Sequence, residues 1–396
     1  MRNIWIVLLA VAAASGQDWP QFLGPTRNGV YTGAAGGVWP PAVVWKKDVG
    51  AGFAGPVVVQ GRLILFHRLG NRETAECVDA KTGKRVWVYD YPTGYRDDFG
   101  FDEGPRGTPA VAGGKVYTFG AEGVLHCLDF ASGKKLWSVE THPKFGVKKG
   151  FFGAACSPLV EGDGVVLNIG GSGGVVAFHK DTGQVLWTAT NDDAGYSAPV
   201  AAAIGGARHV LSLTRAGLVD IDPANGKVRF QFPWRSRSQA SVNAAAPVMV
   251  GENLVLLSAS YGTGAVLLEI PSRKKLWSSD DALSCHYATP VFRDGYLYGF
   301  HGRQEEGQSL RCVEAKTGKV AWKQDGFGAG TVTLAGDRLL VLRENGELVA
   351  APAAREGFRP SGRARILSGV VRAYPAVAEG LLFARNENAL VAVRVP

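Results

Sequence analysis

Apolar and polar residues alternate along this chain in short runs, never in long helical stripes. "KVYTFG" at 115–120 and "VLHCLDF" at 124–130 are typical: about six residues, apolar on every second position, closed by glycine-containing turns. That period of two marks strands with one buried face. No segment keeps an amphipathic helical period beyond a couple of turns.

The runs are organised into a recurring phrase. "AECVDAKTGKRVW" at 75–87 returns almost unchanged as "LRCVEAKTGKVAW" at 310–322, with "LHCLDFASGKKLW" at 125–137 and "VVAFHKDTGQVLW" at 175–187 between them. Looser copies are "LVDIDPANGKVRF" at 218–230 and "VLLEIPSRKKLW" at 266–277. A second landmark, a small residue followed by proline and an apolar residue, falls at Pro56, Pro109, Pro158, Pro199, Pro247, Pro290 and Pro375, with Val332 in an eighth slot. The mean spacing is about 46 residues, a period that signals stacked repeats.

Each unit reads as four strands. Proline opens the first, a glycine turn leads to the second, a loop to the third, and the "TGK" turn reverses the chain into a fourth ending in tryptophan. Such a sheet cannot bury both faces alone, and radial stacking of eight gives an all-β, eight-bladed β-propeller. The eighth unit stops after "ALVAVRVP", while "AVVWKKD" near the N-terminus is a fourth strand without a unit. The two chain ends are therefore expected to complete one blade and remove exposed sheet edges. Trp45, Trp87, Trp137, Trp187, Trp277 and Trp322 are expected to dock between blades, with the turn glycine left-handed. The "TGK" phrase is thus structural, because no phosphate-loop spacing accompanies it.

Composition agrees: 53 glycines and 20 prolines in 396 residues favour turns, and 46% hydrophobic residues suffice for a large core. Residues 1–16 combine an arginine, an apolar run and small residues, the pattern of a secretory signal peptide. The expected organisation is a signal peptide at 1–16, a lead-in segment at 17–44 and one propeller at 45–396, located in the periplasm or secreted. No transmembrane segment is expected after signal removal, and the ring is expected to be monomeric. A net charge of +8 favours acidic partners, while the lack of basic runs or nucleic-acid motifs excludes nucleic acid. Among five cysteines, Cys77, Cys127 and Cys312 occupy equivalent repeat positions and read as small buried hydrophobes. Pairing of Cys156 with Cys285 is left open.

Strand order places the connections before each proline on the same face as those between second and third strands. Ala54, Gly107, Cys156, Ser197, Ala245, Ala288, Gly330 and Ala373, two before each landmark, are all small, as inner strands converging on an axis require. One step earlier the residues diverge: Phe53, Arg106, Ala155, Tyr196, Ala244, Tyr287, Ala329 and Arg372, beside Asn243 and His286. Arg68, Arg215, Arg303, Arg343 and Arg385 join this face, making a rim of seven arginines that suits an anionic ligand or acidic peptide, or else is an ordinary solvent-screened rim partly neutralised by Glu305, Glu306 and Glu344. The candidate ligand-binding residues are Arg106, Tyr196, Asn243, His286, Tyr287, Arg372, Arg68 and Arg303, with no catalytic residue and no metal ligand. His67 and His286 read as hydrogen-bonded structural residues. Two long connections, 90–107 and 140–157, are expected to project together over the funnel.

The unit resembles the repeat of quinoprotein-type propellers, whose tryptophan-docking pattern "CVDAKTGKRVW" follows closely; units five ("EIPSRKKLW") and seven ("APAAREGFRP") depart from it. The lead-in "DWPQFLGPTRNGV" is similar to that of exported bacterial members. The resemblance implies the propeller fold over the whole chain beyond the leader. For function it implies three branches: a non-catalytic binding or scaffold ring, a dehydrogenase holding pyrroloquinoline quinone (PQQ) with calcium in the funnel, or a component of outer-membrane barrel assembly. The vicinal cysteine pair of the alcohol-oxidising branch is missing, Glu103, Asn243 and Asp281 are scattered as calcium ligands, and the lipid-anchoring cysteine of the barrel-assembly branch is missing. The scaffold ring, taking a protein or anionic small-molecule ligand and needing no cofactor, is the preferred expectation, with PQQ and calcium as the alternative.

Overall fold

The computed structural model describes residues 17–33, 35–238 and 242–395, and the expected signal peptide lies outside them. Eight antiparallel sheets stand in a ring. Blade 1 is built from Val57–Val59, Arg62–Leu69, Arg72–Asp79 and Arg85–Pro92, and blades 2 to 6 repeat this order outward from the axis. Burial follows position. The second strand of blade 3, Gly164–Gly170, is buried at every residue. Outer strands such as Lys135–Glu140 alternate between exposed and half-buried residues, because one flank faces solvent.

Closure occurs as the strand pattern predicts. Blade 8 takes Ala376–Ala378, Leu381–Arg385 and Ala389–Arg394 from the C-terminus and Val43–Asp48 from the N-terminus. Trp45 pairs with Ala392 and Lys47 with Leu390 in antiparallel register.

The recurring phrase locks each blade to the next. The indole N–H groups of Trp45, Trp87, Trp137, Trp187, Trp277 and Trp322 donate to backbone carbonyls of the following blade, those of Ala80, Phe130, Lys180, Pro223, Ala315 and Ala354, at 2.8–3.1 Å. Under five of these rings lies the next turn glycine: Gly83, Gly133, Gly183, Gly226 and Gly318, all with φ between 69° and 75°. Left-handed backbone and ring contact together demand glycine there. The two divergent units solve the problem otherwise. In blade 5 Arg273 adopts φ 58° and lies 5.7 Å from the Phe230 ring of blade 4. In blade 7 the lead-in segment supplies Trp39, which packs on Gly362 and donates to the Arg363 carbonyl at 3.1 Å.

All five cysteines are buried free thiols, so Cys156 and Cys285 do not pair. They sit in different core clusters. Burial raises their thiols to about 11 and about 12.

The lead-in segment does more than precede the ring; it crosses the centre. Trp19 exchanges backbone hydrogen bonds with Val58 of blade 1, the Pro20 carbonyl accepts from Val111 of blade 2, and the Gly29 carbonyl accepts from Leu334 of blade 7. Val30–Tyr31 then adds a parallel fifth strand to the inner edge of blade 7. Midway, the buried Arg27 guanidinium donates to the Pro199 carbonyl at 2.7 Å, to the Ser157 carbonyl at 3.4 Å and to the Pro158 carbonyl, all immediately before the inner strands of blades 3 and 4. A segment touching the inner edges of five blades within a dozen residues lies across the axis of the ring as a plug. Burial lowers the Arg27 guanidinium to about 10, and it stays charged.

Candidate functional site

The ring of small residues before each proline is where expected, buried at the axis. A Cβ on Gly107 would stand 2.8 Å from the Cys156 carbonyl, so packing alone accounts for it. Just outside it, a cavity of about 460 Å³ opens on the funnel face. Six of the eight predicted residues line it: Arg106, Tyr196, His286, Tyr287, Arg303 and Arg372.

Three guanidiniums lie over aromatic rings. Arg106 lies 5.4 Å from the centroids of both Phe53 and Phe152. Arg372 lies 5.6 Å from the same Phe53 and 5.4 Å from Phe101. Arg303 sits 4.4 Å above Tyr261. Such cation–π contact anchors a guanidinium beside the cavity. Each also has an acidic neighbour: Asp97 at 3.3 Å from Arg106, Glu344 at 3.0 Å from Arg372, and Glu305 at 3.4 Å from Arg303. The Tyr287 hydroxyl donates to the same Glu344 oxygen at 2.6 Å, and burial drives its phenol far above the usual range.

His286 is a fixed neutral ring. Its Nδ1 lies 2.5 Å from Gln304 Oε1, an oxygen that can only accept, so the proton sits on Nδ1. Nε2 is then the acceptor for the Tyr261 hydroxyl at 3.1 Å. Burial holds its pKa below the ordinary histidine range.

The two long connections meet over the cavity, as their length and composition suggest. Phe99 packs on Phe151 and Phe152, with ring centroids 5.9 and 5.3 Å apart, and Lys149 bonds Asp98 at 2.7 Å. Phe99 and Phe101 remain 53% and 45% exposed, an apolar lip on the funnel.

Two predicted residues do not reach the cavity. Arg68 is buried and clamps the 90–107 connection, donating to the carbonyls of Gly70, Tyr95 and Glu103 and to Asn71. Asn243 is buried beneath the site. Its amide donates to the Thr214 and Trp234 carbonyls, and its backbone carbonyl accepts from Tyr196 at 2.8 Å. The seven-arginine rim contracts likewise. Arg385 is wholly buried against the Gly50 and Asn386 carbonyls, Arg343 pairs with Glu347, and Arg215 lines a neighbouring cavity. His67 accepts from the Gly50 N–H at 2.8 Å, a structural role as expected. Phe22, Tyr261 and Tyr374 escaped the sequence reading. Tyr261 sits between second and third strands, where the same-face rule would have found it; Phe22 comes from the plug, which no repeat logic places.

Fold and site define a tryptophan-docked, eight-bladed propeller with an arginine–aromatic funnel. Residues 71–305 and 306–394 match the model of the family described as "Outer membrane protein assembly factor BamB", and the chain belongs to this family of PQQ-like repeat propellers. It is 24% identical over 294 residues to the outer membrane protein assembly factor BamB of Burkholderia pseudomallei, covering 71% of this chain and 68% of that protein. It is 34% identical over 142 residues to the dehydrogenase subunit of a quinone alcohol dehydrogenase from Komagataeibacter europaeus, 33% of this chain and 18% of that protein. The match thus spans less than a fifth of that relative. Among solved structures, BamB from Moraxella catarrhalis superposes with TM-score 0.67 at 15% identity over 89% of this chain and 97% of that one. The quinohemoprotein alcohol dehydrogenase of Comamonas testosteroni gives 0.71 at 15% identity over 96% and 80%.

The donor set does not fit a calcium–quinone centre. A hard cation requires several converging oxygens, and no group of three or more His, Cys, Asp or Glu placed to hold a metal occurs among the described residues. Glu103 faces Arg68 and Arg96, Asn243 is buried among carbonyls, and the funnel carboxylates each face an arginine. Among the described residues no helix is long and apolar enough to cross a membrane.

Proposed function

We propose that the protein is an exported, non-catalytic binding ring that holds an acidic protein segment or anionic ligand across the funnel mouth. The observation that carries this reading is the convergence of Arg106, Arg303 and Arg372, each in cation–π contact with an aromatic ring, within one cavity with an exposed phenylalanine lip. Such a surface suits carboxylates flanked by apolar or aromatic groups: the arginines take the charge and Phe99 and Phe101 take the apolar part. The lead-in segment behind Phe22 crosses the axis, which favours approach of a ligand from the funnel face. Family membership supports a role beside outer-membrane protein assembly as a second reading, in which the acidic segment belongs to another envelope protein.

Calorimetric titration with acidic peptides containing phenylalanine, against charge-reversed controls, tests the proposal. Binding that weakens by roughly tenfold in Arg372→Ala and Arg106→Ala supports it; equal binding by basic peptides, or indifference to both variants, rejects it.

A further inference from the structure

A second cavity, of about 730 Å³, lies beside the funnel between the connections that lead into blades 3 and 4. It shares only Ala155 and Tyr196 with the funnel lining. Its charge is one-sided: Lys144, Lys148, Lys149 and Arg215 against a single carboxylate, Asp193. The Lys149–Asp98 pair is half exposed, and such a pair exchanges readily for another anion.

The walls are preformed. A Cβ on Gly171 would fall 2.4 Å from the Phe145 carbonyl and one on Gly170 would fall 2.6 Å from the Ala194 nitrogen, so two backbone segments are packed edge to edge there. On the inner wall stands Asn168, 2% exposed. Its amide nitrogen donates to the Leu213 carbonyl at 3.2 Å, whereas its amide oxygen is buried without a hydrogen-bond partner. That oxygen is sealed behind the wall; the accessible neutral polar groups of the lining are Ser172 and Asn191, both exposed and able to meet a ligand hydroxyl. The volume falls in the range of small-molecule sites, well above that of a simple ion.

We propose that this cavity binds a hydroxylated small anion, a sugar phosphate or sugar acid, with the lysines and Arg215 on the charged group and Ser172 and Asn191 on hydroxyls. The site shares Tyr196 and Ala155 with the funnel wall but none of its arginines, and the proposal does not rest on the reading given to the funnel.

Titrating the full chain with glucose 6-phosphate, glucuronate, glucose and inorganic phosphate, followed by calorimetry at low and at physiological salt, tests this. The expected result is saturable binding of either sugar anion, at least roughly tenfold tighter than glucose or phosphate alone and weakened by salt. Lys148→Glu, a change at an exposed position, should lower the affinity by a similar factor without moving the unfolding midpoint, and Arg372→Ala in the funnel should leave it unchanged. Preference for the phosphate or the carboxylate sugar then distinguishes the two ligand sources. The proposal is overturned by absence of saturable binding, by equal affinity for phosphate alone that Lys148→Glu does not alter, or by loss of binding in Arg372→Ala.

Discussion

Gly133 of blade 2 lies directly beneath Trp87 of blade 1, so close that a Cβ there would stand 2.5 Å from the ring. With φ at 73° the backbone is also left-handed. Gly133→Ala therefore adds strain and displaces the indole from its hydrogen bond to Phe130. A loss of about 2–4 kcal/mol in urea unfolding is expected. Gly113, left-handed with nothing within 4 Å of its added Cβ, is the control and should lose about 1 kcal/mol when changed to alanine. Equal losses at both positions would contradict the docking account.

Arg27 tests the plug. Its guanidinium is the donor for three carbonyls on two blades in a buried setting, and Arg27→Met would remove that donor. A loss of about 3 kcal/mol is expected, with little rescue by Arg27→Lys because an ammonium cannot span the same fork. A variant within about 0.5 kcal/mol of the parent would show the segment to be an ornament of the ring.

Acid sensitivity follows from buried histidines. Burial, reinforced by Arg385, lowers His67 to about 4; burial and Lys135 lower His126 to about 4; burial and Arg311 lower His301 to about 4. Their folded pKa values lie below the unfolded value of about 6.5. The unfolded chain thus binds more protons as pH falls through that window. The stability these groups supply is present above pH 6.5 and is lost toward pH 4. Unfolding midpoints measured from pH 7.5 to 4 should fall progressively, and His126→Phe should flatten the decline. A midpoint independent of pH over this range would contradict the assignment of neutral buried rings.

Much of the fold was legible because one constraint repeats. Tryptophan on glycine must be solved at each blade junction, so its residues recur and announce the period; where Arg273 and Trp39 solve it differently, the pattern fades although the blade remains. The funnel was legible in outline because strand order fixes which loops share a face. Arg68 and Asn243 were misplaced because that rule gives a residue's level along the axis, not the direction of its side chain. Both turn inward to satisfy backbone carbonyls, Arg68 those of Tyr95 and Glu103 in the 90–107 connection and Asn243 those of Thr214 and Trp234. The plug was illegible, since Arg27 meets Pro158 and Pro199 only through the closed ring.

Arg372 should separate binding from folding. It is one-fifth exposed, bonded through Nε to Glu344, and the Tyr287–Glu344 hydrogen bond persists without it. Arg372→Ala is expected to cost less than about 1 kcal/mol in stability while removing most affinity for acidic peptides. Matched losses in both would mark it as a structural residue.

The most direct measurement of the central claim sets the two readings of the funnel side by side. Thermal shifts are recorded for the purified protein with an acidic phenylalanine-containing peptide, and with PQQ in the presence and absence of calcium. The arginine–aromatic funnel predicts a saturable rise with the peptide, abolished in the Arg106→Ala, Arg372→Ala double variant, and no calcium-dependent response to the quinone. A saturable, calcium-dependent stabilisation by PQQ, with the peptide inert, would contradict it.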